Sequence, residues 1–497
     1  MSTHRVGRSL IVLLAALGMV AGVTGAAGAS GSESAPTAKP GRKPNIVFIL
    51  TDDLDRDLYF DASQFPKFNS LLVDKGTTFS NAFVTDSLCC PSRSSILRGQ
   101  HVHNHDVRSN RPPLGGFEKF HGNGDEKSTI ATWLHDSGYR TGLFGKYLNG
   151  YPNSAEQTFV PPGWDVWASP IGGNGGYAEY NYRLNENGTI VRHGAAPQDH
   201  LVDVLSQKSG EFIQQSGDKP FFLYVAPFVP HAPATPTPRH ADAFPGVQAP
   251  RTASFNQADL SAEPQWLRNR PLLGEQQQAS IDELYRKRLQ SMLDVDDLVE
   301  HVVDSLQKAG QLDNTYIVFT SDNGFHLGQH RLPQGKITAF DEDIRVPLVV
   351  RGPDVPAGKR VDEFAANIDF APTFAKLGGA KAPSFVDGRS LEPTLHGKSA
   401  GKSARNAVLV EQFTGGGNQR AGRRGGAPPT YAAVRTDRYT YVEYVTGERQ
   451  LYDLRDDPDE LHNIVGTADP KLVQELAKQL GALRTCKAAG CRTADRG

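Results

Sequence analysis

One short stretch of the sequence combines a candidate nucleophile with a candidate anion-binding position. It runs Cys89-Cys90-Pro91-Ser92-Arg93 and holds two of the four cysteines of the chain. Pro91 favours a first helical turn, where the N–H that proline lacks is not needed. Cys89 is therefore predicted to lie just before a helix N-terminus, where the dipole and free N–H groups favour an anion. The alternative is a buried cysteine pair beside a basic surface turn.

Oxygen-bearing side chains follow directly on two apolar segments that are typical of core strands. Asp52 and Asp53 come after the first segment, and Asp322 and Asn323 come after the second. Sites in open α/β sheets assemble at the carboxyl ends of strands. Adjacent carboxylates repel each other unless a cation lies between them, and hard divalent ions prefer oxygen ligands. The pattern favours calcium first and magnesium second over zinc, with solvated acidic turns as the alternative.

Two further side chains stand at predicted strand ends and could carry positive charge. Lys146 follows one core strand and could act as a point charge for the oxygens of an anion. His231 closes the strand Pro220–Val225, although a lone histidine is more often structural. Three more histidines, His101, His103 and His105, lie close together without a further ligand at zinc spacing. We interpret those three as pocket-wall or surface residues.

The elements that must position these residues read as a large α/β domain followed by a smaller β-rich part. Continuous apolar runs predict buried parallel strands, and a hairpin is predicted over Tyr177–Val191 around Asn187-Gly188. A long amphipathic helix is predicted over Gln276–Ala309. Short antiparallel strands are predicted after residue 400: Val408–Gln412, Tyr431–Thr436, Tyr439–Tyr444 and Gln450–Asp453.

Composition and the chain ends indicate a secreted protein. The 497 residues carry a formal net charge of −2, which gives no global reason to bind nucleic acid. Residues 1–29 have the charged start, apolar run and small-residue cleavage site of a signal peptide, and an uncleaved envelope anchor is the alternative. Residues 30–43 read as a disordered linker. Cys486 and Cys491 are expected to form a small disulfide loop.

The stretch from Cys89 to Gly99 matches every specified position of C-x-P-S-R-x-x-x-L-x-G, and the chain resembles the sulfatase family. The resemblance implies the fold of the alkaline phosphatase superfamily: a large, mostly parallel mixed sheet between helices, with a smaller C-terminal antiparallel-sheet subdomain. It implies that Cys89 is oxidised to formylglycine, the nucleophile once hydrated, with Arg93 supporting the site. It also implies a metal, here Ca²⁺ or alternatively Mg²⁺. The ligands would be Asp52, Asp53, an oxygen on residue 89, Asp322 and Asn323.

The same resemblance assigns the cations. Lys146, His231 and Lys336 match family positions that contact sulfate, and His231 or Lys336 would protonate the leaving alcohol. The segment Gly145-Lys146-Tyr147-Leu148-Asn149 is similar to the N-acetylglucosamine-6-sulfatase and heparan endosulfatase branch. Leu148 departs from the family, because many members have an active-site histidine there. No residue of this chain is therefore assigned to hold the formylglycine hydroxyl, the expected role of that histidine.

The expected function is hydrolysis of sulfate monoesters, with 6-sulfated glucosamine or aryl sulfates as substrates. The alternatives are a phosphonate or phosphodiester hydrolase of the same superfamily and a non-catalytic sulfoglycan-binding protein. Expected partners are a sulfated small molecule or glycan and a formylglycine-generating enzyme during maturation, without nucleic acid or stable membrane insertion. A Gly-rich loop with Arg420, Arg423 and Arg424 is either a solvated face or a contact for a polyanionic sugar. The expected domains are a catalytic domain over 44–400, a C-terminal subdomain over 401–485 and a tail over 486–497.

Overall fold

A ten-stranded mixed sheet forms the centre of the computed structural model, which describes residues 41–172, 175–398, 401, 404–414 and 427–497. The strands are β1 (Asn45–Thr51), β2 (Thr77–Phe83), β3 (Arg140–Gly145), β4 (Val166–Pro170), β5 (Arg183–Glu186), β6 (Thr189–Arg192), β7 (Phe221–Ala226), β8 (Thr315–Ser321), β9 (Leu348–Arg351) and β10 (Lys359–Ala366). Their order is β10-β2-β9-β8-β1-β7-β3-β4-β5-β6. The central strands β8, β1, β7, β3 and β4 run parallel.

Helices cover both faces of the sheet. The α-helices of the described residues are α1 (Pro66–Phe68), α2 (Cys89–Arg98), α3 (Val102–His105), α4 (Gly116–Asn123), α5 (Ile130–Asp136), α6 (Leu201–Ser216), α7 (Gln265–Arg268), α8 (Glu275–Lys308), α9 (Asp341–Ile344), α10 (Phe370–Leu377), α11 (Glu392–Leu395), α12 (Pro470–Leu483) and α13 (Ala489–Ala494). Residues of α2, α5 and α10 pack on one face, and residues of α6 and α8 pack on the other. The predicted fold class is confirmed.

Strand β1 shows why the sequence reads as continuous apolar runs rather than as alternation. Ile46, Phe48 and Leu50 belong to the core on one face of the sheet, whereas Val47 and Ile49 belong to the core on the other. All five side chains are buried, with at most 1% of their surface exposed. A strand covered on both faces needs apolar residues at every position. The carboxyl end of such a strand is consequently held rigidly.

The second sheet is antiparallel and comprises β11 (Ala407–Gln412), β12 (Tyr431–Thr436), β13 (Tyr439–Tyr444) and β14 (Arg449–Asp453). Side chains of α12 pack on it. A disulfide joins Cys486 and Cys491. Within the described part of the chain, no helix is both long and apolar enough to cross a membrane.

Several sequence predictions concern residues outside the described ranges. These are the signal peptide over 1–29, the first part of the linker over 30–40, and the arginines Arg420, Arg423 and Arg424. The predicted hairpin is present but shorter, since β5 begins at Arg183 and not at Tyr177. Its turn is formed by Asn187 and Gly188, whose positive φ angles of 49° and 90° suit a tight two-residue turn.

Candidate active site

Parallel pairing of β1 and β8 brings the carboxylates together. Thr51 and Ser321, the last residues of the two strands, are register partners. The next residues therefore meet: the amide of Asp322 donates to the carbonyl of Thr51 over 3.1 Å, and the amide of Asp53 donates to Oδ1 of Asp322 over 3.2 Å. All three carboxylates, including that of Asp52, are buried. The expectation that these strand ends converge agrees with the geometry.

Asp52, Asp53 and Cys89 form a buried cluster whose candidate ligand atoms all lie within 4.8 Å of one another. The side-chain amide of Asn323 donates to Oδ1 of Asp53 over 2.7 Å. Oδ2 of Asp53 and Oδ1 of Asn323 are buried and accept no hydrogen bond from the described residues. Buried acceptors without donors are costly unless a cation approaches them. The donor set therefore fits a hard divalent ion.

Helix α2 carries Cys89 into this cluster. Cys89 is the first residue of the helix, one position further in than predicted, and Leu88 is the N-cap. Sγ of Cys89 lies 3.5 Å from Oδ1 of Asp52. Cys89 and Cys90 are both buried free thiols. The buried cysteine pair that the sequence offered as an alternative is therefore also present. Burial raises the pKa of the Cys89 thiol to about 12, which keeps it protonated and weakly nucleophilic at neutral pH.

Two lysines contact the carboxylates of the cluster. Lys146 follows β3, and its Nζ lies 2.5 Å from Oδ2 of Asp52. Nζ of Lys336, in the long loop after β8, contacts Oδ1 of Asp53 and lies 2.7 Å from Sγ of Cys89. Burial opposes the charge of the carboxylates, but the ammonium of Lys146 holds the pKa of Asp52 below its ordinary value, and Lys336 does the same for Asp53. The lysines thus form ion pairs with the carboxylates.

His231 also lies beside the carboxylate cluster. It follows β7 after a short turn, and its Nε2 lies 3.6 Å from Oδ2 of Asp53. Its Nδ1 lies 2.7 Å from the carbonyl oxygen of Ala232, which orients the ring. The side chain is about one-quarter exposed, more than that of Lys146 or Lys336. Among these three side chains, His231 is therefore the most accessible from solvent.

Arg93 lies behind the cluster and contacts its supports. The guanidinium is fully buried, and its Nε donates to Oδ2 of Asp322 over 2.7 Å. One terminal nitrogen donates to the carbonyl of Lys146 over 3.0 Å. A charged hydrogen bond of this kind orients a carboxylate without reaching a substrate. The geometry agrees with the expected supporting role of Arg93.

Tyr177 is a site residue that the sequence analysis did not identify. Its ring centroid lies 4.5 Å from that of His231, and Nζ of Lys146 lies 5.2 Å from the ring centroid. Asn149 donates from its side-chain amide to the Tyr177 hydroxyl over 3.2 Å. Burial raises the pKa of Tyr177 to about 12. The only sequence signal near Tyr177 is the segment G-K-Y-L-N, because it contains Asn149, the hydrogen-bond partner of Tyr177.

A cavity of about 930 Å³ opens beside the cationic end of the cluster. Lys146, Tyr177 and His231 line it at one end. Leu148, at the position where many sulfatases have a histidine, also lines the cavity but is 97% buried and packs in the core. A cavity with an apolar part and few polar groups near a charged cluster is the usual form of a ligand site.

Comparison with known proteins identifies the family. A family model described as "Sulfatase" matches residues 44–380, and a second, "N-sulphoglucosamine sulphohydrolase, C-terminal", matches residues 328–486. The chain belongs to the sulfatase family. The "N-acetylglucosamine-6-sulfatase" of Homo sapiens is 37% identical over 484 residues, covering 91% of this chain and 86% of that protein. The "Arylsulfatase" of Chlamydomonas reinhardtii is 33% identical and covers 92% of this chain and 77% of that protein.

Solved structures support the same assignment of the fold. A protein solved "in complex with its substrate D-Glucosamine-2-N, 6-O-disulfate" has a TM-score of 0.72 and 24% identity, covering 92% of this chain and 99% of that one. The phosphonate monoester hydrolase of Agrobacterium radiobacter has a TM-score of 0.68 and 23% identity, covering 89% of this chain and 95% of that one. The predicted family and its 6-sulfatase branch are confirmed, and the chain is a sulfatase.

Proposed function

We propose that this sulfatase hydrolyses sulfate monoesters of sugars, with residue 89 as the nucleophile after its cysteine has been converted to formylglycine. The observation that carries the proposal is the placement of Cys89 Sγ between Asp52 Oδ1 at 3.5 Å and Lys336 Nζ at 2.7 Å. Any nucleophilic atom on residue 89 would therefore lie beside both a carboxylate cluster and a cation. An oxygen that attacks a sulfate group needs a nearby positive charge to stabilise the negative charge of the transition state.

Conversion of Cys89 to formylglycine would replace a thiol that is a weak nucleophile at neutral pH. With a pKa of about 12, the thiol supplies little thiolate at neutral pH. A hydrated aldehyde at this position offers a hydroxyl that attacks sulfur while the S–O bond to the alcohol breaks and the alcohol takes a proton. The second hydroxyl then gives up its proton, the C–O bond to sulfate breaks, and the aldehyde is restored. The ester sulfur is attacked once, and water only rehydrates the aldehyde.

We further propose that Asp52, Asp53, Asp322, Asn323 and the oxygen on residue 89 hold a divalent metal, with calcium before magnesium. The support is the oxygen-rich donor set and the two buried acceptors, on Asp53 and Asn323, that have no donor among the described residues. When bound, the ion would supply positive charge that lowers the pKa of a nearby hydroxyl and stabilises sulfate oxygens.

The remaining roles are binding of the sulfate oxygens and protonation of the leaving alcohol. Lys146 and Lys336 are buried or nearly so, and we assign them to the sulfate oxygens, where a fixed charge is most effective. His231 also lines the cavity and is more exposed than either lysine, so we assign it to the leaving alcohol. His231 and Lys336 are both candidates for the proton donor. Tyr177 holds the imidazole of His231 and the ammonium of Lys146 in position through its ring.

The relatives support a proposed substrate class and location. The human relative is named for 6-sulfated N-acetylglucosamine, and an algal relative is named an arylsulfatase, so we propose 6-O-sulfated glucosamine units first and aryl sulfates second. An "Extracellular sulfatase SULF-1 homolog" of Drosophila melanogaster is 40% identical over 71% of this chain and 31% of that protein. Together with the Cys486–Cys491 disulfide, this supports secretion after removal of residues 1–29. The proposed conversion of Cys89 would require a formylglycine-generating enzyme during maturation.

Turnover of three substrates by natively expressed protein tests the proposal: an aryl sulfate, an aryl phosphate and 6-O-sulfated N-acetylglucosamine. We expect both sulfate esters to be hydrolysed and the phosphate to react much more slowly. Faster hydrolysis of the phosphate would favour the alternative function, that of a phosphonate or phosphodiester hydrolase. A phosphonate monoester hydrolase is among the proteins with a similar fold. Binding of a sulfated glycan without any turnover would favour a non-catalytic binding protein.

A further inference from the structure

The cavity beside the cluster has one negatively charged wall residue. Among the described residues that line it, Glu118 is the single acid, and the ammonium of Lys146 also lines it. Glu118 is in the first turn of α4, where the free N–H groups of the helix favour a carboxylate. None of the roles assigned above uses Glu118. The cavity is therefore lined by groups of both charges.

The Glu118 carboxylate is held in place on both sides. Oε1 accepts a hydrogen bond from the side-chain amide of Asn153 over 3.0 Å. Oε2 packs against Gly116 and Gly150, where an added Cβ would lie only 2.7 Å from it. Both glycines have positive φ, of 77° and 86°, so other residues would be strained there as well. The chain thus leaves room for this carboxylate at a fixed point of the wall.

The wall also carries uncharged polar groups that could contact a ligand. Asn149 and Tyr177 line the cavity and are hydrogen-bonded to each other. Because the Tyr177 hydroxyl accepts from Asn149, its own hydrogen can be donated to a ligand. Arg111 also lines the cavity but is exposed, so solvent and salt weaken its attraction for anions. Such a wall suits the hydroxyl and amide groups of a sugar.

We propose that Glu118 is a specificity-determining residue that restricts the cavity to sugars whose only anionic group is the sulfate to be removed. The carboxylate accepts hydrogen bonds from hydroxyl or amide groups of the sugar and repels a second sulfate on the same ring. The proposal rests on the proposed function, since Lys146, which lines the cavity, must hold the reacting sulfate. Rejection of a wrong ligand by an unfavourable charge is a common source of specificity.

The experiment measures kcat/KM for release of the 6-O-sulfate from two probes, 6-O-sulfated N-acetylglucosamine and 2-N,6-O-disulfated glucosamine. Wild type is expected to prefer the monosulfate. Glu118→Gln keeps the shape of the side chain and removes its charge. The preference for the monosulfate should then fall about tenfold, because repulsion between like charges at close range weakens binding by this factor or more. Glu156→Gln, at an exposed position outside the cavity lining, is the matched control and should keep the wild-type ratio.

Each outcome decides one question. No hydrolysis of either probe, or of an aryl sulfate, by wild type would refute the proposed function itself. Active wild type that prefers the disulfate, or an unchanged ratio in Glu118→Gln, would overturn the role of Glu118. If Glu118→Gln does not fold, Asn153→Asp at its exposed hydrogen-bond partner tests the same charge. It should strengthen the preference for the monosulfate severalfold, and a ratio at or below that of wild type overturns the proposal.

Discussion

Nζ of Lys336 lies 2.7 Å from Sγ of Cys89, although the two residues are 247 positions apart in the chain. Lys336 reaches Cys89 from the loop after β8, and Cys89 begins helix α2. The same ammonium contacts Asp53, so it bridges the proposed nucleophile and a proposed metal ligand. A cation with both contacts is placed to act on the reacting group rather than on the fold.

Removal of this ammonium should reduce catalysis without unfolding the protein. We expect Lys336→Ala to lower kcat for an aryl sulfate by about 10²–10³-fold, as is typical when one charged stabiliser of a transition state is lost. Circular dichroism should show an unchanged fold. Lys308→Ala, at an exposed position near the end of α8, is the control and should retain full turnover. Unchanged turnover in Lys336→Ala would remove this residue from the mechanism.

Mass spectrometry should detect the modification of residue 89 directly. Trypsin releases residues Gly76–Arg93 from natively expressed protein as one peptide. We expect Cys89 in this peptide to carry an aldehyde in place of the thiol, while Cys90 keeps its thiol and serves as an internal control. An unmodified thiol on both cysteines of an active preparation would contradict the proposed nucleophile.

Arg93 should be needed for stability as well as for the site. Arg93→Ala leaves the buried carboxylate of Asp322 without its guanidinium partner, and breaking a buried pair in this way costs about 3–5 kcal/mol. Urea unfolding should show this loss, and Arg93→Lys, which keeps a positive charge but not the fork of donors, should lose less. Equal stability of Arg93→Ala and wild type would mean that Asp322 does not depend on Arg93.

Metal removal should affect both activity and stability. Dialysis against a chelator is expected to abolish most hydrolysis of an aryl sulfate and to lower Tm, because a ligand bound only by the folded state stabilises it. Calcium should restore both at lower concentration than magnesium, since the site offers several carboxylate and amide oxygens. Full activity in protein shown to be metal-free by elemental analysis would contradict the proposed site.

Glu263 should make stability depend on pH. Burial raises its pKa to about 7 from an ordinary 4.5, although Tyr452 and Gln450 donate hydrogen bonds to it. The folded state therefore holds a proton that the unfolded state releases, and stability falls as pH rises through this range. The gain in unfolding free energy from Glu263→Gln over wild type should be about 2 kcal/mol larger at pH 8 than at pH 5. An equal gain at both values would show that Glu263 does not titrate there.

The sequence by itself determined the parts of the site that depend on local chain properties. Apolar runs buried on both faces predicted the core strands, so Asp52, Asp322 and Lys146 were expected at one edge of the sheet. Pro91 predicted the start of α2 to within one residue of its position. The resemblance to sulfatases then gave these positions their expected chemistry, and family membership is confirmed.

Only the tertiary structure decided which residues of the irregular segments meet the site. Tyr177 and Glu118 carry no periodicity or spacing that reports their contacts, because each contact joins segments that are distant in sequence. Lys336 was expected at the site only from the resemblance to sulfatases, and its contact with Cys89 likewise joins distant segments. The hairpin was predicted to begin at Tyr177, yet this residue instead lies against His231, where ring packing outweighs strand formation. Side-chain contacts between loops depend on how the whole sheet and its helices are packed, and no local pattern records that.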